Sequence, residues 1–540
     1  MLAAGLPAAA SATRSPLADY ARARAAGGTG ALDVAAEGYA SALALAPDNP
    51  VLAERALAQA LVSGDRALAL RAAAALDRAG TLPPDGRILL FGEAVRAANW
   101  RAAKAEIARI EKDETFAFLA PILRAWVAQG SGKGDPLAVI AVANGNPLAK
   151  EYAAEHIALL QILRGDRAEG IAALAPSLAD GGAREQRLRI LAAGLAVRKG
   201  GRKEALALLE GESAAVFAAR TRLASGNDLI AKKGIAAAAM SELLIRIAVE
   251  VNAQEVPDLA LSFARVATFV APSNGAAWTV AAELLAAQGR REGALKALAS
   301  VPAGDAFAEA AADRRIAFLA ESERREEALT AALAMSKAEP EAVASWSRLG
   351  DLYASLERHS EAADAYARAL EITRSKGSEG TPEWALWLMQ GSELGLAGKW
   401  SEAKVSLEQA YKLAPQEPAV LNHLGYSQLE RRENLPEAER LIREASRLQP
   451  DDASITDSLG WAHFVRGDLP TAIALLERAA QGQPADPAIN EHLGDAYYAA
   501  GRRYEARYAW KAASIYAEGA AAGRLAAKME TGLRPDLAAP

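Results

Sequence analysis

Residues 487–518 read PAINEHLGDAYYAAGRRYEARYAWKAASIYAE, and this stretch decides the fold. Counting Pro487 as position 1, Leu493 stands at 7, Gly494 at 8, Tyr497 at 11, Ala506 at 20, Trp510 at 24 and Ala513 at 27. The preceding stretch carries Leu459, Gly460, Ala472, Leu476, Ala479 and Pro484 in the same order, and the one before it Leu424, Gly425, Ala438, Ile442, Ala445 and Pro450. A fourth has Trp387, Gly391, Ala403, Leu407, Ala410 and Pro415. From Gly391 to Gly425 is 34 residues, from Gly425 to Gly460 35, and from Gly460 to Gly494 34. Self-similarity at one period marks a repeat architecture, in which each unit buries its apolar face only by stacking on its neighbours.

The spacing predicts two antiparallel helices per repeat. Their axes approach closely only where side chains are small, so the glycine at position 8 and the alanines at 20 and 27 mark the contacts. The larger residues at 4, 7, 11 and 24 fill the space between helices. The proline near position 32 ends the second helix and starts the next turn.

This pattern resembles the tetratricopeptide repeat at every diagnostic position after the first helical turn. The resemblance implies an all-α fold, a right-handed superhelical solenoid of helix-turn-helix units, with about 14 helical pairs at the usual period. Trp346, Leu349, Gly350, Tyr353, Ala362, Tyr366 and Ala369 fit a further unit, but Gly350 to Gly391 is 41 residues, seven more than 34. The surplus falls at Ser375–Pro382, an inserted loop. Upstream the pattern decays. Inter-helix turns recur at Gly64–Ala67, Asn99–Ala102, Gly165–Ala168, Gly201–Ala205 and Gly289–Glu292, and second-helix signatures survive at Ala35, Tyr39, Ala42 and Pro47 and at Ala260, Ala264, Ala267 and Pro272. The chain therefore divides into degenerate repeats over 13–225, middle repeats over 226–335, well-formed repeats over 336–518, and a capping helix with a tail over 519–540. The long apolar stretch from Ile235 to Val251 is read as a junction between two lobes of the solenoid.

Composition agrees. Hydrophobic residues make up 51% of the 540 but aromatic ones only 6%, which suits many small, closely packed helices. A net charge of -6, with no long Lys/Arg run, gives no basis for attraction to nucleic acid or anionic lipid. No cysteine is present, which excludes disulfides, thiol nucleophiles, thiolate metal sites and a lipid-modified cysteine within the chain. No apolar run is long enough for a membrane span. The first residues, MLAAGLPAAASA, end in the small-x-small pattern of a signal-peptidase site without a basic leader, so residues 1–12 are read as a truncated signal peptide. On that reading the protein is periplasmic; on the other, a frayed alanine-rich end, it is cytoplasmic.

No chemistry-bearing constellation emerges. Gly130–Asp135 imitates a phosphate loop but has Gly134 where a magnesium-binding hydroxyl belongs and Val127 where the first loop glycine belongs. His156, His359, His423, His463 and His492 do not pair at metal-ligand spacing; His423 and His492 share position 6, a repeated packing or surface role. Neither a catalytic, a metal nor a cofactor site is expected, and no small-molecule substrate.

In tetratricopeptide folds the first helix of each repeat lines the concave groove, and the resemblance places positions 2, 5, 9, 12 and 13 there. In this sequence those positions hold Ser347 and Asp351; Leu388 and Ser392; Asn422 and Tyr426; Asp457, Trp461 and Phe464; and Glu491, Asp495 and Tyr498. The groove would be aromatic and acidic, suited to basic or apolar extended segments and unsuited to a terminal carboxylate. Trp461 and Phe464 have a second reading, as packing against the neighbouring helix. The run Asp457–Trp461 with Gly467–Asp468, followed by Pro487–Trp510, resembles the C-terminal repeats of large bacterial cell-envelope tetratricopeptide proteins. Some of those are outer-membrane lipoprotein adaptors that present substrates to processing proteases, and this chain departs from them in lacking a lipobox cysteine. The resemblance implies a non-catalytic scaffold or adaptor that binds other proteins. A cytoplasmic co-chaperone or regulatory hub is the alternative, and an enzyme with an unrecognised site the third.

The architecture predicts strongly helical circular dichroism. It also predicts a radius of gyration above about 24 Å, the value for a compact globe of this length; small-angle scattering at that compact value would contradict a solenoid.

Overall fold

A computed structural model of the chain describes residues 15–179, 181–211, 213–376 and 381–539. The stretch 1–12 lies outside the described residues, as do 377–380 of the insertion. Among the described residues there are thirty α-helices and no β-strand, as an all-α repeat fold requires. The helices form two compact units, residues 1–324 and 325–540.

The second unit contains five regular hairpins, each a helix pair in sequence order: 343–355 with 359–376, 383–396 with 400–413, 418–430 with 435–448, 453–465 with 469–482, and 487–499 with 503–516. Local sequence sets their ends. Asp452 and Asp486 cap the helices they precede, accepting from the backbone N–H of Ile455 at 2.8 Å and of Ile489 at 3.0 Å. Pro418 and Pro487 take the first helical turn, where a missing N–H costs nothing.

The hairpins close at the position-8 glycines. A Cβ at Gly350 would lie 2.6 Å from the Tyr366 ring, at Gly425 2.8 Å from Ile442, and at Gly460 2.8 Å from Leu476; at Gly494 it would overlap the indole of Trp510. Trp510 itself is fully buried, so its ring has no room to move away. First helices of successive hairpins approach one another more closely than second helices do, so the first helices form the inner, concave face.

The first unit has a different interior. Its helices Pro50–Ser63, Pro84–Arg96, Ala120–Ser131 and Gly182–Ala196 pack around a central hairpin, Ile235–Ala253 and Pro257–Val270. Every residue from Ala260 to Val270 is buried, and so is the run Ala239–Ala248. The long apolar helix read from the sequence as a junction between lobes thus lies inside this unit, buried along Ala239–Ala248, and that burial accounts for its apolar content.

Burial brings charges inside, and they are paired. Arg265 donates to the carbonyls of Leu61 (2.9 Å) and Val62 (3.0 Å), closing the C-terminal end of helix 50–63. Arg187 pairs with Glu242 at 2.9 Å, and Arg246 joins Glu155 at 3.3 Å and Glu250 at 2.7 Å. Trp126 Nε1 donates to Nδ1 of buried His156 at 3.1 Å, which requires a neutral imidazole.

Gly494→Leu forces a bulky side chain into the Trp510 contact and is expected to cost about 1 to 3 kcal/mol, the usual range for overpacking. Hydrogen exchange should rise in the last repeats, and an equal rise over residues 20–200 would contradict this locality. His156 supplies a second expectation, because burial lowers its pKa from 6.5 to about 4. With the folded pKa depressed, its contribution is fully present above the unfolded pKa and is lost as pH falls from there to about 4, up to about 3 kcal/mol. Urea unfolding of the first unit should show this acid loss, and His156→Gln should flatten it.

Candidate functional site

The inner face of the second unit carries the residues that repeat positions single out. Asp457 and His492 meet across neighbouring first helices: His492 Nδ1 lies 3.0 and 2.9 Å from the two carboxylate oxygens of Asp457. The His492 ring stacks on Trp461 with centroids 4.2 Å apart, and Trp461 stacks on Phe464 at 4.4 Å. Tyr426 extends the row, its ring 6.3 Å from His492. Trp461 is 3% exposed and packed in an apolar cluster with Leu429, Ile442 and Ala462.

An open acidic groove, expected from Asp457, Glu491 and Asp495, is not what the structure contains. All three carboxylates are buried: the C-terminal helix, Gly519–Thr531, covers Glu491 and Asp495, and Asp457 is held against His492. Arg524 donates to both oxygens of Glu491 at 2.7 and 2.8 Å. Lys528 Nζ directs three hydrogen bonds at carboxylate oxygens, one to Glu491 at 2.6 Å and two to Asp495 at 2.8 and 2.7 Å. That uses all three ammonium donors, which is how a fully buried lysine is accommodated. Asp495 also accepts from Trp510 Nε1 at 2.8 Å and from the backbone N–H of Ala539 at 2.8 Å.

Electrostatics follow from this packing. Burial alone would raise the Glu491 carboxyl, but hydrogen bonds from Arg524 and Lys528 hold it below its ordinary value. Burial pushes Asp495 up despite Lys528. For His492, burial acts downward, but the charge and hydrogen bond of Asp457, with Asp495 and Glu491, outweigh it and raise the pKa above 6.5. Three carboxylates thus face Arg524, Lys528 and His492, so each buried acid has a basic partner.

The remaining positions lie at the margins of the covered region. Tyr498 is half-buried, its ring 5.5 Å from that of Trp510, with Gly532 against its hydroxyl. Asn422 is half-buried, and its Oδ1, shielded from solvent, has no hydrogen-bond partner among the described residues. Ser347 is buried and Asp351 is exposed, accepting from Tyr366 at 2.6 Å. The histidines at position 6 differ: His492 is buried, whereas His423 is exposed and 3.0 Å from Ser392 Oγ.

The sequence assigns a capping helix to 519–540 but gives Arg524, Lys528 and Ala539 no place at the inner face. The signal was available. Arg524 and Lys528 stand four apart, one helical turn, in an otherwise Gly- and Ala-rich stretch.

Residues 319–377, 388–453, 428–487 and 458–523 each match the tetratricopeptide repeat family. A 55-residue stretch is 42% identical to a tetratricopeptide repeat-containing protein of Pseudomonas aeruginosa, covering 10% of this chain and 9% of that relative. The chain thus matches less than a tenth of that relative's length. Among solved structures, a tetratricopeptide protein of Thermus thermophilus is similar over 35% of this chain and 100% of its own, at 20% identity and a TM-score of 0.31. A tetratricopeptide protein of Parabacteroides merdae is similar over 47% and 97%, at 16% identity and a TM-score of 0.36.

His492 sets a pH expectation for the second unit. Its folded pKa is raised, so its contribution is fully present below the unfolded pKa and is lost as pH rises through the folded value. The stability difference between wild type and His492→Asn should shrink as pH rises above 6.5; a difference that stays constant as pH rises would show that the ion pair with Asp457 carries no such charge.

Proposed function

We propose that this chain, whose second unit is built of tetratricopeptide repeats, is a non-catalytic scaffold or adaptor that receives segments of other proteins on its concave face. One observation carries the reading: the inner-face positions of consecutive repeats form a continuous row, Asn422, Tyr426, Trp461, Phe464, Asp495 and Tyr498, that already accommodates polypeptide through a backbone N–H to Asp495. Aromatic residues give large contact area at little entropy cost, and a buried acceptor such as Asn422 Oδ1 favours an incoming donor. In the first unit the corresponding inner face is filled by helices 235–253 and 257–270, which favours the second unit as the receiving surface.

Of the basic or apolar segments the register suggests, the apolar are favoured, because the carboxylates of Glu491 and Asp495 are already matched by Arg524 and Lys528. The small-x-small motif at residues 10–12 and the likeness to cell-envelope adaptors favour a periplasmic location over a cytoplasmic hub. No helix among the described residues is long and apolar enough to cross a membrane. Amino-terminal sequencing of protein from fractionated cells tests the location: a start at Thr13 supports export, and retention of Met1 in a cytoplasmic fraction opposes it.

Affinity capture with wild type and with Asn422→Ala, Tyr498→Ala tests the groove. These side chains are only half-buried, so the melting temperature should change little while partner recovery falls, by about 2 kcal/mol or roughly thirtyfold in affinity. Full recovery by the folded double variant would place the partner elsewhere.

A further inference from the structure

We propose that residues 532–539 are an internal ligand of the groove, and that the groove of the last two repeats is a site for an extended segment with small apolar side chains. The inference deepens the groove reading above and rests on it.

The covering helix and the segment after it are held in different ways. Helix 519–531 is anchored by fully buried Leu525 and Lys528, the latter saturated by carboxylates. At Gly532 the chain turns with φ at +83°, a conformation that side chains rarely adopt, and a Cβ there would run into the Tyr498 ring. The chain is thereby directed back across the inner face. Leu533 packs in the cluster of Tyr497, Tyr498 and Leu525. Six residues later the Ala539 N–H donates to Asp495 Oδ2, and the alanine joins the apolar cluster that contains Trp461.

Between these two anchors Arg534, Pro535 and Asp536 are exposed, and Leu537 and Ala538 are only half-buried. The segment is thus fixed at its two ends on the inner face, with an exposed 3-10 turn, Pro535–Leu537, between them. Letting go of it breaks the Ala539 hydrogen bond and uncovers Trp461 without touching Lys528 or Arg524, so the repeats stay intact.

Asp495 gives the site its chemistry. Its oxygens are committed to Lys528 and Trp510, and the place left is taken by a main-chain N–H, a group that every extended segment offers. Selection then rests on the side chain beside Trp461, where the present occupant has a methyl group. Beyond Trp461 the row continues to Tyr426 and to the unpartnered Asn422 Oδ1, on the helix preceding the two that the segment anchors on. A longer segment from another protein gains those contacts in addition, which lets it compete with a tethered occupant whose effective concentration is in the millimolar range.

The test uses a fluorescent synthetic peptide with the sequence GLRPDLAAP, residues 532–540, and the full-length chain carrying Leu533→Asp and Ala539→Asp. The introduced carboxylates oppose Asp495 and the apolar clusters and expel the internal segment. The peptide should bind this variant at least about tenfold more tightly than wild type, because wild type must first release its own copy. Adding Tyr498→Ala should weaken that binding. Failure of the peptide to bind a variant that keeps the wild-type melting temperature, or equal binding to both, overturns the proposal. Hydrogen exchange on the wild type decides independently of how the variant folds. The Ala539 amide should exchange by local opening, faster than amides of helix 487–499; protection equal to that helix would make the segment a fixed cap and overturn the proposal. In either failure, partner capture that still depends on Asn422 and Tyr498 would leave the groove reading standing.

Discussion

The second unit depends on the absence of a side chain at one position per repeat. Where Gly350, Gly391, Gly425, Gly460 and Gly494 stand, the partner helix sits so close that a single Cβ would meet Tyr366, Leu407, Ile442, Leu476 or Trp510. Interiors pack at crystal-like density and do not absorb an extra methyl freely. That approach fixes the angle of each hairpin, and repetition of the same hairpin turns one face of every first helix inward. The row from Asn422 to Tyr498 follows from this geometry.

Repetition creates an end, and the end needs its own solution. The last first-helix, 487–499, presents Glu491 and Asp495 where the next repeat would stack, while its His492 turns back to Asp457 of the preceding first helix. Helix 519–531 takes that place with Arg524 and Lys528 instead of a large apolar face. A buried cluster of this kind is costly unless every charge is matched. Here Lys528 uses three donors and Glu491 receives a bidentate guanidinium, so the desolvation of the carboxylates is offset. The same arrangement makes the end of the solenoid sensitive to protonation of His492. The first unit fills its interior with helices 235–253 and 257–270, and there the pKa of buried His156 is lowered, where that of His492 in the second unit is raised. Both histidines are buried, which lowers the pKa; at His156 burial prevails, whereas at His492 the facing carboxylates, Asp457 first, outweigh it.

The repeat class and the register were legible in residues alone. Spacing of 34 to 35 residues between Gly391, Gly425, Gly460 and Gly494, with small residues at the helix contacts and proline at the turns, admits one local solution, the helical hairpin. Register in turn assigned Asp457, Trp461, Glu491 and Asp495 to the inner face, since position in a repeat determines which way a side chain points. The long apolar helix at 235–251 was recognisable as a helix, but periodicity carries no information about what surrounds so apolar a helix.

What only the tertiary structure decided is what covers the inner face. A helix-periodic pattern records burial against the nearest neighbours in sequence, and it brought out the hairpins. The meeting of Lys528 with Asp495 spans 33 residues and that of Ala539 with Asp495 spans 44, and nothing in either local sequence requires it. Arg524 and Lys528 read as an ordinary solvated helix face until the carboxylates of helix 487–499 are placed beside them. Charge pairing across such distances is set by where the chain returns in space. The sequence by itself therefore determined the repeat, the register and the acidic, aromatic character of the inner face; the fold alone determined that the face is occupied by the chain's own end.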